Sequence, residues 1–293
     1  MPDPRIMEQV ARLRALAPKV EDKPRVYPAK QLPLWPNVMR AAPSVVLRSA
    51  LFRVSKNKLG SFKGAKVASW KGAYIEYTGL ELTQQDLDVW LQALHMAREQ
   101  LGTKVTFTAL GMLKSIGRRG TGKNDFLWLK NTLTKLTACA VVVTSTDGRK
   151  TYGAGLVNEF KIDGNACYLT INPSMVELFD DGYTWVEWKT RLGLKGNLTK
   201  WLHAYICSHQ ATTRAPSKIK LENLQELYGS ESGLLRQFRD SIRRSITQLE
   251  EKNVMSSWSI EKDVLAFARP ERPWRKPGQA AFVHRVFQQP GHP

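Results

Sequence analysis

The sequence predicts an α+β fold: two tandem winged-helix (helix-turn-helix) domains flanked by disordered N- and C-terminal tails. Two observations carry that expectation. One order of elements (a helix, a short strand, a second helix, a turn, a longer helix and a β-hairpin) occurs twice along the chain. The hairpins are marked by β-branched runs on either side of short polar turns. The expected divisions are a flexible arm over 1–32, a first domain over 37–180, a linker with a second domain over 181–268, and a tail over 269–293.

The arm is poor in large apolar residues and mixes both charges with prolines, which leaves at most a transient helix over 6–16. In the first domain, 74–78 alternates like a strand, and 86–98 places Leu87, Trp90, Leu91 and Leu94 at helical spacing. An extended run at 105–108 leads to a helix near 109–116, a glycine-rich turn and a longer helix over about 124–136. Strands follow at 140–144, 152–162 and 166–171, separated by the hairpin dipeptides Asp147-Gly148 and Asp163-Gly164. The second domain repeats the plan. A helix over 198–209 precedes a strand at 219–221, a helix over 222–228 stops at Gly229, and a long helix covers about 231–251. Strands at 256–260 and 264–268 close on a turn at Glu261, Lys262 and Asp263. The proline-containing tail has little core material.

Charge narrows the function classes. The chain has 44 Lys and Arg against 26 Asp and Glu, a net charge of +18, which calls for a polyanionic partner. Nucleic acid fits best; no segment offers the ~18 consecutive apolar residues of a membrane span. The opening Met-Pro-Asp-Pro lacks a charged-then-apolar leader, and the three cysteines are widely spaced. Both features suit a reducing cytosol rather than a secreted, disulfide-bonded protein.

The long second-domain helix is the expected reader. Leu234, Leu235, Phe238, Ile242, Ile246 and Leu249 form one apolar stripe, and Arg236, Arg239, Arg243 and Thr247 fall on the other side. Arginine can make a bidentate contact with guanine in the major groove. Ser230 is the expected N-cap, leaving backbone amides for a phosphate. In the first domain the matching helix buries Phe126, Leu129, Leu133 and Leu136, with Asn124, Asn131, Lys135 and a partly exposed Trp128 outside. Arg118, Arg119 and Lys123 in the preceding turn, with Asn124, are expected to grip the DNA backbone. From 40 to 71 there are Arg48, Arg53, Lys56, Lys58, Lys63 and Lys66; Lys56 and Lys58 are expected phosphate contacts.

Several motifs point nowhere. Gly117 to Lys123 nearly matches a phosphate loop, but Asn124 stands where a magnesium-binding Ser or Thr belongs, and the run follows a helix rather than a buried strand. The five histidines form no His-x-His pair, and no Cys/His spacing suits zinc. No catalytic residue, metal or cofactor is expected, and the chain is read as a binder rather than an enzyme.

These residues support a family resemblance. Over roughly 31–269 the chain resembles the TrfA-type plasmid replication initiators, through Trp35-Pro36, Met39-Arg40-Ala41, 48–52, 77–82 with Val89, Trp90 and Gln92, Ser208-His209, 229–232 and Phe238-Arg239. The resemblance implies binding of double-stranded DNA at repeated origin sites (iterons) by monomers, and dimers that limit copy number. It also implies origin opening and recruitment of the host initiator and replicative helicase. A further stretch, Gln31, Leu32, Pro33, Leu34 and Trp35, looks like the pentapeptide by which bacterial proteins dock on the polymerase sliding clamp, with Trp in place of the usual Phe. The competing reading of Leu32, Leu34 and Trp35 is packing on the first domain. A transcriptional regulator of the same fold is the alternative function.

Overall fold

The computed structural model describes residues 31–53, 60–69, 73–99, 104–120, 122–229 and 234–271. Most of the arm, the tail beyond Glu271, and Lys56, Lys58 and Ser230 lie outside the described residues. The chain opens with β1 (Met39–Pro43), α1 (Ser44–Leu47), β2 (Phe52–Arg53), β3 (Ser61–Val67), β4 (Ala73–Leu80) and β5 (Leu82–Thr83). A first unit follows: α2 (Gln84–Glu99), β6 (Lys104–Thr108), α3 (Ala109–Ser115), α4 (Lys123–Thr137), β7 (Ala140–Ser145), β8 (Thr151–Ala154), β9 (Val157–Asp163) and β10 (Ala166–Ile171). Then come α5 (Pro173–Glu177), β11 (Tyr183–Glu187) and α6 (Trp188–Gly193). The second unit is α7 (Asn197–Cys207), β12 (Ser217–Lys220), α8 (Leu221–Tyr228), α9 (Leu235–Glu251), β13 (Ser257–Glu261) and β14 (Val264–Ala268).

Both units close a three-stranded antiparallel sheet beside their helices, in the orders β6-β10-β9 and β12-β14-β13. In each, the short strand before the second helix pairs with the last strand of the hairpin. The first unit differs by an insertion. Residues 152–162, expected as one strand, form two: β8 completes a four-stranded sheet ordered β3-β4-β7-β8, and β9 leaves for the other sheet. The break falls at Gly155, where a Cβ would press on the carbonyl oxygens of Cys139, Thr137 and Val157 at 3.1 Å. Only glycine lets three backbones approach so closely.

The second-unit turn has an unusual backbone. Lys262 and Asp263 have φ of 47° and 61°, the paired left-handed residues that a two-residue hairpin turn demands. Neither is glycine; Asp263 is held there by bonds to Arg239 and to the Leu221 N–H.

Two apolar cores match the two units. The first runs from Trp35 to Trp188 and also takes Ala204, and the second begins at Leu194 and ends at Phe267. Residues 183–187 pair with 39–43, so the first unit's sheet work continues past 180, and the change of core falls between Trp188 and Leu194. The basic stretch from residue 40 is also more structured than a solvated loop. Arg40 is buried, bonds Gln92 Oε1 at 2.8 Å and lies over the Trp188 ring at 4.8 Å. A buried guanidinium is tolerated when its N–H groups are satisfied, as here by Gln92 and the carbonyls of Asn37 and Met39.

Helix α2 begins with a reciprocal cap: the Thr83 backbone N–H donates to Asp86 at 2.8 Å, and the Asp86 N–H approaches Thr83 Oγ1 at 3.4 Å. Its far end seats Trp35, whose indole N–H donates to His95 Nδ1 at 3.1 Å and whose ring stacks on Phe179. That bond needs an unprotonated His95 nitrogen. Burial, with Arg40 and Arg98 nearby, lowers the His95 pKa from its ordinary 6.5 to about 3, and burial lowers that of His209 to about 4. The unfolded chain therefore takes up these protons first, so stability is full above pH 6.5 and declines as pH falls toward 3. Between pH 7 and 5, above the ordinary carboxylate range, Tm should fall, and His95→Gln should flatten the decline by removing one proton acceptor. A flat wild-type Tm across that interval would refute the assignment.

Candidate nucleic-acid interface

Helix α9 is built on a 3.6-residue apolar period. Phe238, Ile242, Ile246 and Leu249 are buried, and Ser245 among them bonds Thr199 Oγ1 of α7 at 3.1 Å. Each buried apolar side chain contributes about 1.5–3 kcal/mol, enough to hold the helix by one face without help from the other. Leu234, expected on the buried stripe, is instead 61% exposed. It flanks the first helical turn with extended dihedrals, so the helix starts at Leu235, later than expected, and Leu234 never joins the periodic face. Leu234 also occupies the cap position expected for Ser230.

The outward face carries Arg236, Arg243 and Thr247, all exposed. Among the described residues neither Arg236 nor Arg243 has a side-chain partner, so both guanidiniums keep their five donors for a ligand. Arg239 is a correction. Its guanidinium grips Asp263 Oδ1 in the β13–β14 turn, with Nε at 2.8 Å, so it is engaged within the protein where it was expected on the free outer face. Arg239 lies about 80° from the centre of the buried stripe, on its flank, where it meets the hairpin instead of solvent. Arg244, absent from the expected set, lies nearly opposite the stripe and is exposed, with one bond to Ser241 Oγ at 3.1 Å. Counting each residue at ~100° per step would have ranked Arg244 above Arg239.

Asp263 does more than hold Arg239. Its carbonyl accepts from the Leu221 N–H at 2.8 Å, so one turn residue contacts both α8 and α9. Lys262 beside it is exposed at the tip of the hairpin.

In the first unit α4 buries Leu129, Leu133 and Leu136, with Phe126 partly covered. Arg119, Lys123 and Asn124 are exposed where the turn meets α4. Arg118 is another correction: it bonds Asp125 Oδ1 at 3.0 Å and lies 3.9 Å over the Trp128 ring, which commits it internally. Gly120 belongs to the same feature, since a Cβ there would sit 2.0 Å from Asp125 Oδ2. The glycine-rich turn thus closes around a carboxylate already paired with Arg118, which leaves no empty nucleotide-phosphate cradle inside it. Lys135, expected outside, pairs with buried Asp86.

The Gln31–Trp35 segment divides. Gln31 and Leu34 are exposed, Leu32 packs partly on the first core, and Trp35 is 4% exposed between Phe179, His95 and Arg98. The aromatic anchor expected for the sliding clamp is therefore occupied by the protein's own core. An indole suits either apolar pocket, and here the nearer one fills first. Among the described residues no group of His, Cys, Asp and Glu is arranged to hold a metal ion, and no helix is long and apolar enough to cross a membrane.

A family model described as "TrfA protein" matches residues 11–269. The chain belongs to the TrfA family. A curated relative, the plasmid replication initiator protein TrfA of Escherichia coli, is 26% identical over 242 residues. That match covers 79% of this chain and 62% of the relative, so the chain spans about three fifths of the relative's length. Two solved structures share the fold. Domains 2 and 3 of RctB, as a selenomethionine derivative, align with TM-score 0.54 at 15% identity, over 78% of this chain and 98% of theirs. A second structure of RctB domains 2–3 aligns with TM-score 0.50 at 13% identity, over 84% and 100%.

The Arg239–Asp263 pair is partly exposed, so solvent screens it and its coupling should not exceed about 1 kcal/mol. Arg239→Ala and Asp263→Asn should each lower the urea midpoint, and the double variant should lose less than their sum. Arg236→Ala and Arg243→Ala should leave stability within about 0.5 kcal/mol. Strict additivity at 239 and 263 would show that the pair contributes nothing.

Proposed function

We propose that this chain initiates plasmid replication by binding directly repeated origin sites in double-stranded DNA through two winged-helix units, with α9 as the principal reading helix. The observation that carries the proposal is the outward row of Arg236, Arg243, Arg244 and Thr247 on a helix whose opposite face is buried. A helix held this way can enter a major groove without losing its packing, and its unpaired guanidiniums suit guanine O6 and N7. The hairpin β13–β14, fixed to α9 by Arg239 and Asp263, supplies the wing, with Lys262 toward the backbone. Arg119, Lys123 and Asn124 of the first unit grip phosphate at a second groove, which makes the site about 20 bp long. Ser230, Lys56 and Lys58 remain phosphate contacts in this reading.

Family membership supports the initiator role over that of a regulator. The same reading includes origin opening, recruitment of a host initiator and replicative helicase, and dimers that limit copy number, in a bacterial cytoplasm at the plasmid or nucleoid. No turnover or cofactor is needed: the chemistry is binding and deformation of the duplex. Clamp docking through Gln31, Leu32, Leu34 and Trp35 joins this reading only with Trp35 released from its seat on Phe179.

The deciding experiment supplies the protein in trans to a plasmid that has the origin but no initiator gene. Sustained replication is expected, and a transcriptional regulator would not provide it. Arg243→Ala should weaken the footprint on the repeats by about tenfold or more, the cost of one bidentate base contact, while leaving binding to unrelated DNA nearly unchanged. Loss of both in equal measure would assign Arg243 to the backbone.

A further inference from the structure

A series of side-chain bonds, most of them buried, runs from one reading helix to the other. Lys135 of α4 pairs with Asp86 of α2. Two residues on, and about 200° around the same helix, Asp88 faces the other way. Its Oδ1 accepts from Arg191 Nε of α6 at 2.5 Å, and its Oδ2 from Lys200 Nζ of α7 at 2.6 Å. Arg191 is wholly buried and also bonds the Lys200 carbonyl at 3.0 Å and Gln84 Oε1 at 3.1 Å. From α7, Thr199 Oγ1 donates to Ser245 Oγ of α9, and the Lys195 N–H donates to Gln248 Oε1 at 3.2 Å. Helix α7 is held a second time on its other flank, where the Trp201 indole donates to the Ser49 carbonyl at 3.1 Å and Arg48 Nε to Ser208 Oγ at 2.9 Å.

Cohesion alone does not call for this arrangement. Apolar side chains of equal volume would hold the units together at least as well as a buried ion cluster. A planar guanidinium with three fixed acceptors supplies direction: it permits one rotation of α6 and α7 against α2. The start of α7 also comes close to the first reading helix, since Asn197 lines one open cleft with Trp128, Asn131 and Lys135 of α4. Both reading helices are thus referred to α2, α4 through Lys135 and Asp86 and α9 through Asp88, its partners and α7.

We infer that the Asp86–Asp88–Arg191–Lys200 series acts as a calliper, fixing the separation and phase of the two reading helices and making base-pair spacing within the DNA site a determinant of recognition. The inference rests on the proposed function, in which both units bind one duplex. Each inserted base pair displaces the second half of a site by about 3.4 Å and rotates it by about 35°, more than a side chain on a locked frame can follow. In this role Asp88 and Lys200 are positioning residues that touch no base.

The test starts with selection of duplexes from a random pool by the wild-type protein. The selected site is then remade with its centre shortened or lengthened by one and two base pairs. The wild type should show one optimum, losing about tenfold or more at a one-base-pair change, comparable to a mismatch. Asp88→Asn, and Lys200→Met as the milder change, should flatten the profile while retaining binding to either half alone. Spin labels at Lys130→Cys and Glu251→Cys supply a readout without DNA: one narrow distance in the wild type, a broad distribution with Asp88→Asn. If Asp88→Asn fails to fold by thermal melt, Lys200→Met decides. A wild type indifferent to spacing, or variants with the unaltered sharp optimum and narrow distance, would overturn the calliper alone. Failure of the wild type to select any duplex would remove the proposed function and the inference with it.

Discussion

Asp88 lies inside the protein with both carboxylate oxygens engaged by cations from segments more than a hundred residues further along the chain, and the setting of α6 and α7 against α2 depends on it. Magnitudes separate this cluster from the other ion pairs. Removing one partner of a buried pair leaves an uncompensated charge and costs about 3–5 kcal/mol, a large share of a typical folding free energy. The Arg239–Asp263 pair near the surface is worth at most a fifth to a third of that, since water and salt screen it. The first is structural for the whole molecule, and the second trims the attitude of one hairpin.

The second unit separates two tasks on a single helix. Packing belongs to Phe238, Ile242, Ile246 and Leu249, and the outward, exposed face to Arg236, Arg243 and Arg244. Arg239, on the border between them, joins the helix to the turn at Asp263, whose left-handed backbone is otherwise unfavourable for a residue with a Cβ. A rigid hairpin against a rigid helix reduces the ordering cost when a ligand binds.

How much of this was legible in the sequence depended on the range of the interaction. The stripe of α9, the Asp147-Gly148 turn and the end of α8 at Gly229 are local, and local periodicity or turn chemistry announces them; the β9–β10 turn falls one residue later than expected, at Gly164-Asn165. The split at Gly155 was hidden because its cause is the approach of three carbonyls, two of them from Thr137 at the end of α4 and Cys139 two residues on. Strands β1 and β11, about 140 residues apart, gave no joint signal, so residues 40–43 looked like part of a basic loop. Trp35 was legible as an apolar anchor but not in its choice of pocket, because Phe179 and His95 come from distant segments. The counter-ions of Arg118 and Arg239 were hidden for one reason: a cation's composition is local, while its partner, at Asp125 or Asp263, is a matter of folding.

That distinction changes how the net charge of +18 should be used. Arg40, Arg98, Arg191, Arg118, Arg239, Lys135 and Lys200 all count toward it, yet each is committed to a carboxylate, carbonyl or amide within the protein. Pairing with an internal acid leaves the total unaltered, so the long-range field that steers a polyanion remains. It does remove those groups from the set able to contact a base or a phosphate. The total therefore argues for the class of partner, and the partner-free cations of α9 argue for the place of contact. Those cations are left partner-free because the apolar face of α9 needs no help from its arginines.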